Sequence, residues 1–114
     1  MKTVPLREPT FLVLTALAVG PRHGYSVLSD VRHISEGRVR LSVGTLYGVL
    51  DRLRADGLIE LDHEEVVASR LRRYYRLTPA GLALLGAEAD RLFRNAAAAD
   101  LRLRRGRPAA APSD

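Results

Sequence analysis

The sequence contains no cysteine and no tryptophan, and Lys2 is the single lysine among its 18 basic residues. The absence of cysteine excludes disulfide bridges and thiolate metal sites, and it fits the reducing cytoplasm in which we expect the protein to act. The formal net charge of +5 favours an acidic partner such as nucleic acid. The choice of arginine over lysine is equally typical of a GC-rich genome, so the positions of the arginines carry more information than their number.

The sequence also lacks a long apolar run. The stretch Phe11–Val19 is far shorter than the roughly 20 residues that a membrane-spanning helix needs. Lys2 and Arg7 before it superficially resemble the start of an export signal, but Glu8 and Pro9 lie directly before the apolar residues. We therefore predict a buried first helix that opens at Pro9, and no association with a membrane.

Apolar residues at helical spacing predict two further helices. The second runs from about Gly24 to Ser35, and a short alternating stretch, Arg38–Leu41, then predicts a strand. Ser42 is a suitable N-cap for the third helix, which Gly57 ends. The side chains expected on its buried stripe are Val43, Leu46, Leu50 and Leu53.

The opposite face of the third helix carries Gly44, Thr45, Gly48 and Arg52. A glycine inside a helix costs about 1 kcal/mol relative to alanine. Two glycines on one exposed face therefore indicate that another molecule approaches this face closely.

A β-hairpin is predicted after the third helix. Its strands are expected at residues 58–62 and 70–77, joined by a long loop at residues 63–69 that holds Glu64 and Glu65. Phosphate would repel these carboxylates, so we expect the loop tip to point away from nucleic acid. On the returning strand, alternation places Arg70 and Arg72 on one face and places Arg73 on the face of the buried Tyr75.

Thr78 and Pro79 begin a fourth helix that extends to about Arg104. Apolar residues recur along it at alternating spacings of three and four, the pattern of a coiled-coil seam. Because such a helix is longer than so small a domain can cover, we predict that it forms a homodimer. The seam residues, with the neighbouring Phe93, are Leu82, Leu85, Ala89, Leu92, Phe93, Ala96, Ala99 and Leu103.

The order of these elements predicts a mainly α-helical fold with a small β-hairpin, the winged helix-turn-helix plan. We assign residues 1–78 to a DNA-binding domain, 79–105 to a dimerisation helix and 106–114 to a disordered tail. In this plan the third helix enters the major groove and the hairpin, or wing, flanks it.

Four stretches, in the right order, resemble the PadR family of bacterial transcriptional regulators, specifically its short members. They are residues 20–25 (GPRHGY), 41–47 (LSVGTLY), 50–59 (LDRLRADGLI) and 72–78 (RRYYRLT), the last followed by Gly81. The resemblance implies a homodimer held through the C-terminal helix, and repression that a small molecule or another signal relieves. The sequence departs from the drug-binding members of the family, which have a tryptophan in the dimer cavity.

The candidate site residues fall into two groups. An effector site is expected between the first helix and the dimer helix, at Phe11, Leu14, Thr15, Leu92 and Phe93. Arg38 and Arg40 are second-line phosphate contacts. The residues predicted to contact double-stranded DNA at a pseudo-palindromic operator are Tyr25, Ser42, Gly44, Thr45, Tyr47, Gly48, Arg52, Arg70, Arg72 and Arg73.

Structural alternatives exist for several of these residues. Tyr47 could pack its ring against the second helix, Arg52 could pair with Asp56, and His23 is expected to fix a turn rather than to contact DNA. We predict no metal, no cofactor and no enzymatic activity, because the sequence shows neither ligand spacing nor a catalytic motif. The competing function is a winged-helix protein-interaction module that does not bind DNA. The operator, the regulated genes and the effector do not follow from the sequence.

Overall fold

A computed structural model describes residues 5–107 of the chain. Its helices and strands are arranged in the predicted winged helix-turn-helix fold, with one antiparallel sheet of strand order β1-β3-β2. In chain order the elements are α1 (Glu8–Leu17), β1 (Arg22–His23), α2 (Gly24–Ile34), α3 (Val43–Ala55), β2 (Ile59–Val67), β3 (Arg70–Leu77) and α4 (Pro79–Gly106).

The starts of α3 and α4 follow from side-chain caps. The Ser42 hydroxyl accepts a hydrogen bond from the Thr45 backbone N–H at 3.1 Å, and the Thr78 hydroxyl accepts one from Gly81 at the same distance. Each cap satisfies one of the N–H groups that lack a partner in the first turn of a helix. Both were predicted from the sequence.

The core lies between α1, α2, α3 and the base of the sheet. α1 is enclosed on most sides, which confirms the prediction of a buried helix at the apolar run. The prediction for α3 was wrong at Val43, which is 46% exposed because it lies in the first turn, beyond the edge of the core. The buried apolar side chains are Leu12, Val13, Leu14, Ala16, Leu17, Val27, Val31, Leu46, Leu50, Leu53, Ile59 and Tyr75.

The strand predicted at Arg38–Leu41 is absent. The Val39 N–H donates to the Ser35 hydroxyl at 2.9 Å and the Arg38 N–H donates to the Ser35 carbonyl at 3.1 Å, so a turn takes the groups that a strand would need. The third strand of the sheet is instead the two-residue β1, in which Arg22 pairs with Tyr75 of β3.

The long wing loop is also a wrong prediction. β2 continues to Val67, and only Ala68 and Ser69 connect it to β3, with φ angles of 51° and 63°. These left-handed values at both central positions fit the tight turn that a hairpin's twist favours. Glu64 and Glu65 therefore lie within β2, opposite Arg73 and Arg72. The tip of the wing is therefore not acidic, and the expectation that it points away from DNA was wrong in its premise.

α4 is longer than the prediction by about half a turn. Its 28 residues span about 42 Å at 1.5 Å per residue. Gly106 is helical, so the predicted tail begins too early, and residues 108–114 lie outside the described residues. In the part of the chain that the structure describes, no helix combines the length and the apolarity needed to cross a bilayer.

Candidate nucleic-acid interface

The exposed face of α3 has the predicted composition and is open. Gly44, Thr45, Gly48 and Arg52 are all exposed. A Cβ atom built on Gly44 or Gly48 meets no atom of residues 5–107 within 4 Å, whereas one on Gly81 would lie 2.0 Å from the Leu58 carbonyl oxygen. Packing within the chain therefore requires glycine at position 81 but not at 44 or 48.

The first turn of α3 presents two hydroxyl groups together. The Ser42 hydroxyl donates to the Thr45 hydroxyl at 2.9 Å, in addition to capping the helix. Both side chains are exposed. A helix N-terminus with exposed hydroxyls can donate hydrogen bonds to phosphate or to base edges.

The N-terminus of α2 lies beside α3. Tyr25 is 64% exposed in its first turn. A Cβ built on Gly24 would lie 2.7 Å from the Tyr47 hydroxyl oxygen, so Tyr47 does pack against α2, as the alternative proposed. Because its side chain is still 41% exposed, this packing leaves a DNA contact open to it.

The wing arginines differ in their partners. Arg73 Nε donates to Glu64 at 3.1 Å, and this hydrogen bond raises the pKa of Arg73. Arg73 was expected to pack beside Tyr75, but its side chain is 55% exposed because the sheet face extends past the core at that point. Within residues 5–107, Arg70 and Arg72 have no carboxylate oxygen within 4.0 Å.

A cleft of about 470 Å³ separates the wing from the helices. One wall belongs to the wing and the other to the start of α2 and the first turns of α3. The cleft combines guanidinium groups and phenol hydroxyls, the donors that bind phosphate oxygens. Its lining residues are His23, Gly24, Tyr25, Tyr47, Val67, Ala68, Arg70, Leu71, Arg72 and Arg73.

An aromatic cluster fixes the base of the wing. The Tyr74 ring stacks on His63 at 4.3 Å and meets the edge of His23 at 5.2 Å between ring centroids. His23 Nε2 also lies 3.0 Å from the Ser26 hydroxyl, a contact that agrees with the expected role of His23 in the turn. Burial lowers the pKa of His23, and the charge of Arg72 lowers it further. This cluster could not be predicted from the sequence, because no short motif joins its three rings.

The remaining arginine candidates occupy different environments. Arg38 forms a two-point ion pair with Glu8, with 2.9 Å between Arg38 Nη1 and Glu8 Oε1, and Arg40 donates to the Gly37 carbonyl at 3.3 Å. Arg52 and Asp56 line one cleft, but among the described residues they do not form the salt bridge that was the alternative to a phosphate contact of Arg52.

An apolar groove lies near the place where the effector site was expected, but its lining differs from the expected one. Phe11, Ala89, Leu92, Phe93 and Ala96 line a shallow apolar groove of about 260 Å³. The prediction of Leu14 and Thr15 in this lining was wrong. Leu14 is completely buried in the core, and the Thr15 hydroxyl donates to the carbonyl of its own helix one turn back, at 2.7 Å.

Among residues 5–107, no three histidine, aspartate or glutamate side chains are grouped so that they could hold a metal ion.

The fold and the open α3 face together define a winged helix-turn-helix protein. The sequence model of the transcriptional regulator PadR-like family matches residues 13–87, about two thirds of the chain, so the chain belongs to this family. Its members are transcriptional regulators and not enzymes.

Individual relatives match parts of the chain. A transcriptional regulator of Mycobacterium tuberculosis is 50% identical over 54 residues, which cover 47% of this chain and 50% of that protein. An uncharacterized 37.1 kDa transposon protein of Streptomyces fradiae is 42% identical over 87 residues, covering 76% of this chain and 24% of that protein. The chain thus spans half or less of the length of these two relatives.

Solved structures show the same fold at low sequence identity. A PadR family regulator from Clostridium difficile has a TM-score of 0.72 and 22% identity, covering 85% of this chain and 99% of that one. Bacillus subtilis PadR in complex with operator DNA has a TM-score of 0.63 and 21% identity, covering 71% and 47%.

Proposed function

We propose that this regulator acts as a homodimer that binds double-stranded operator DNA through α3, the start of α2 and the wing. The observation that carries the proposal is the α3 face, where Gly44 and Gly48 have no packing partner among the described residues. A close approach by DNA explains why helix-destabilising residues occupy this face.

The charge around this face supports the same assignment. Arg70 and Arg72 border the cleft beside α3 and have no carboxylate partner among the described residues, so they are available to phosphate. Arg73 is a weaker candidate because DNA would have to compete with Glu64 for its guanidinium. Thr45 and the start of α3 would read base edges, while Tyr25 and Arg72 would bind the backbone.

The proposed dimer rests on the apolar side chains of α4. Leu92, Phe93 and Leu103 are 40%, 75% and 67% exposed in the single chain. Their seam continues along a helix that the rest of the protein leaves largely uncovered. Pairing with a second copy removes this apolar surface from water.

Repression and its relief by an effector are the regulatory part of the proposal. The groove between Phe11 and Leu92 lies on the same face of α4 as the seam, so a partner chain would close it. A small apolar molecule fits its lining. Without tryptophan, the groove would rely on Phe11 and Phe93 for aromatic contact.

The direct test is binding of the protein to duplex DNA at several salt concentrations. The proposal predicts binding whose affinity falls steeply with salt, because arginines displace counterions from the phosphates. A folded dimer that binds no duplex DNA at low salt would instead support a protein-interaction module.

A further inference from the structure

Glu88 is a buried carboxylate on α4 that the proposed interface does not use. It is 8% exposed. Glu88 Oε1 accepts a hydrogen bond from Arg91 Nε at 2.8 Å, and Oε2 accepts one from Arg91 Nη2 at 3.0 Å. Oε2 also accepts the backbone N–H of Leu6 at 2.7 Å, a contact between residues 82 positions apart.

This contact fixes the segment that precedes α1. Leu6 is held to α4 through its N–H, and two positions later Glu8 is held by its ion pair with Arg38. Arg7 lies between the two attachment points, and its carbonyl accepts the Phe11 N–H at 3.0 Å. The backbone on both sides of Arg7 is therefore fixed, while its side chain is exposed.

The fixed segment forms one wall of a second cleft, which meets α3 at Thr45 and Gly48, whereas the cleft beside the wing meets α3 at Tyr47. These positions lie on opposite sides of the helix, because a helix turns by about 100° per residue. The cleft has a volume of about 660 Å³. Arg7 and Arg52 lie on its two walls, and Asp56 is its single carboxylate. Within the described residues neither arginine has a carboxylate oxygen within 4.0 Å. The complete lining is Pro5, Leu6, Arg7, Pro9, Thr10, Thr45, Gly48, Val49, Arg52, Leu53, Asp56 and Leu58.

Thr45 and Gly48 belong both to this cleft and to the open face of α3. DNA in contact with that face would therefore pass along the mouth of the cleft. A duplex is wider than one helix, so its backbone continues beyond both sides of the helix in the groove. The wing lies on one side of α3, and the fixed segment lies on the other.

We propose that residues 5–7 form an arm of the DNA interface in which Arg7 binds a backbone phosphate beside α3. Glu88 is a positioning residue, because it holds the arm through Leu6 and does not itself contact DNA. This inference rests on the proposed function. The hydrogen bond from Leu6 to Glu88 also joins the dimer helix to the DNA-binding face.

The test is the dependence of DNA affinity on salt for Arg7→Ala. Each phosphate contact contributes about 0.9 to the slope of log affinity against log salt, so a symmetric dimer should lose about 1.8. Arg104→Ala is the matched control, since Arg104 pairs with Asp100 near the far end of α4, and it should leave the slope unchanged. Arg7→Lys keeps the charge and should retain most of the slope.

The positioning role is tested by combining Arg7→Ala with Glu88→Ala. If Glu88 acts through the arm, Arg7→Ala should cost less in the Glu88→Ala background than in the wild type, so that the two effects are not additive. If Glu88→Ala does not fold, Glu88→Gln replaces it in this experiment. The glutamine keeps an acceptor for the Leu6 N–H, so Arg7→Ala should reduce DNA affinity more in this background than in Glu88→Ala. Additive effects would overturn the positioning role.

The two proposals fail in different ways. If the wild type binds no duplex DNA, the proposed function is wrong. If the wild type binds and Arg72→Ala flattens the slope while Arg7→Ala does not, the interface is right and the arm is not part of it.

Discussion

The substitution Gly48→Ala tests separately whether the stability of the fold and whether DNA binding require glycine at position 48. Gly48 lies in the middle of the 13-residue helix α3, and a Cβ built there meets no atom within 4 Å. Alanine is favoured over glycine in a helix interior by about 1 kcal/mol, and here no clash opposes the gain. For a chain of this size that gain should raise the melting temperature by about 4 °C.

DNA binding should change in the opposite direction. In a dimer the substitution adds one methyl group to each of the two faces proposed to lie against DNA. A loss of at least about tenfold in affinity, or 1.4 kcal/mol, is expected if each backbone lies in contact with the duplex. Thermal unfolding followed by circular dichroism measures the first effect, and fluorescence anisotropy with a labelled duplex measures the second.

The changes in stability and in DNA affinity have to be compared. A variant that is more stable and binds DNA as tightly as the wild type would refute the argument that the glycines serve a close approach. A variant that is less stable would refute the packing argument instead, because it would mean that the added methyl group has no open space.

Three further predictions concern the wing, the dimer and the buried carboxylate. Arg72→Ala should flatten the salt slope by about 1.8 and weaken operator and random duplexes equally, whereas a loss confined to the operator would mean that Arg72 reads sequence. Leu92→Arg places a charge in the seam and should give a monomer or an unfolded chain, and a dimer in sedimentation velocity would refute the seam. Hydrogen bonds from Arg91 and Leu6 lower the pKa of Glu88 below its ordinary value of 4.5, so its contribution to stability is present above that value and disappears as the pH falls through the lowered pKa. Urea unfolding should therefore show a smaller loss of stability on acidification in Glu88→Gln than in the wild type, and equal losses would contradict this.

Much of the helical framework was predictable because its determinants are local. Ser42 and Thr78 cap helices through their own hydroxyls, and Gly57 has the positive φ of 73° expected just past the end of a helix. Periodicity identified Leu46 and Leu50 as core residues because a helix returns to the same face every three or four positions.

The errors share a cause, which is that strand pairing is not local. Arg38–Leu41 alternates like a strand, but the edge of β3 is already paired with Arg22–His23, which is too short to show a period. The turn at Ala68 and Ser69 contains neither glycine nor asparagine, so no turn signal marked it.

The sequence predicted which helix and which strands form the candidate site, but it did not predict the ion pairs and hydrogen bonds between their side chains. The glycine face of α3 followed from helical spacing, and the structure shows that face to be exposed. The ion pair of Arg73 with Glu64 depends on the register between β2 and β3. The hydrogen bond from Leu6 to Glu88 joins opposite ends of the chain, and only the tertiary fold reveals it.

The central claim is that a dimer presents two copies of the α3 surface to DNA. Selection of bound sequences from a random duplex library tests it most directly, because the selected sequence reports both recognition and symmetry. A symmetric dimer should select an inverted repeat whose half-sites are separated by about one helical turn, or 10 base pairs, or by a multiple of that distance. Recovery of no enriched sequence, or of a single site without internal symmetry, would contradict it.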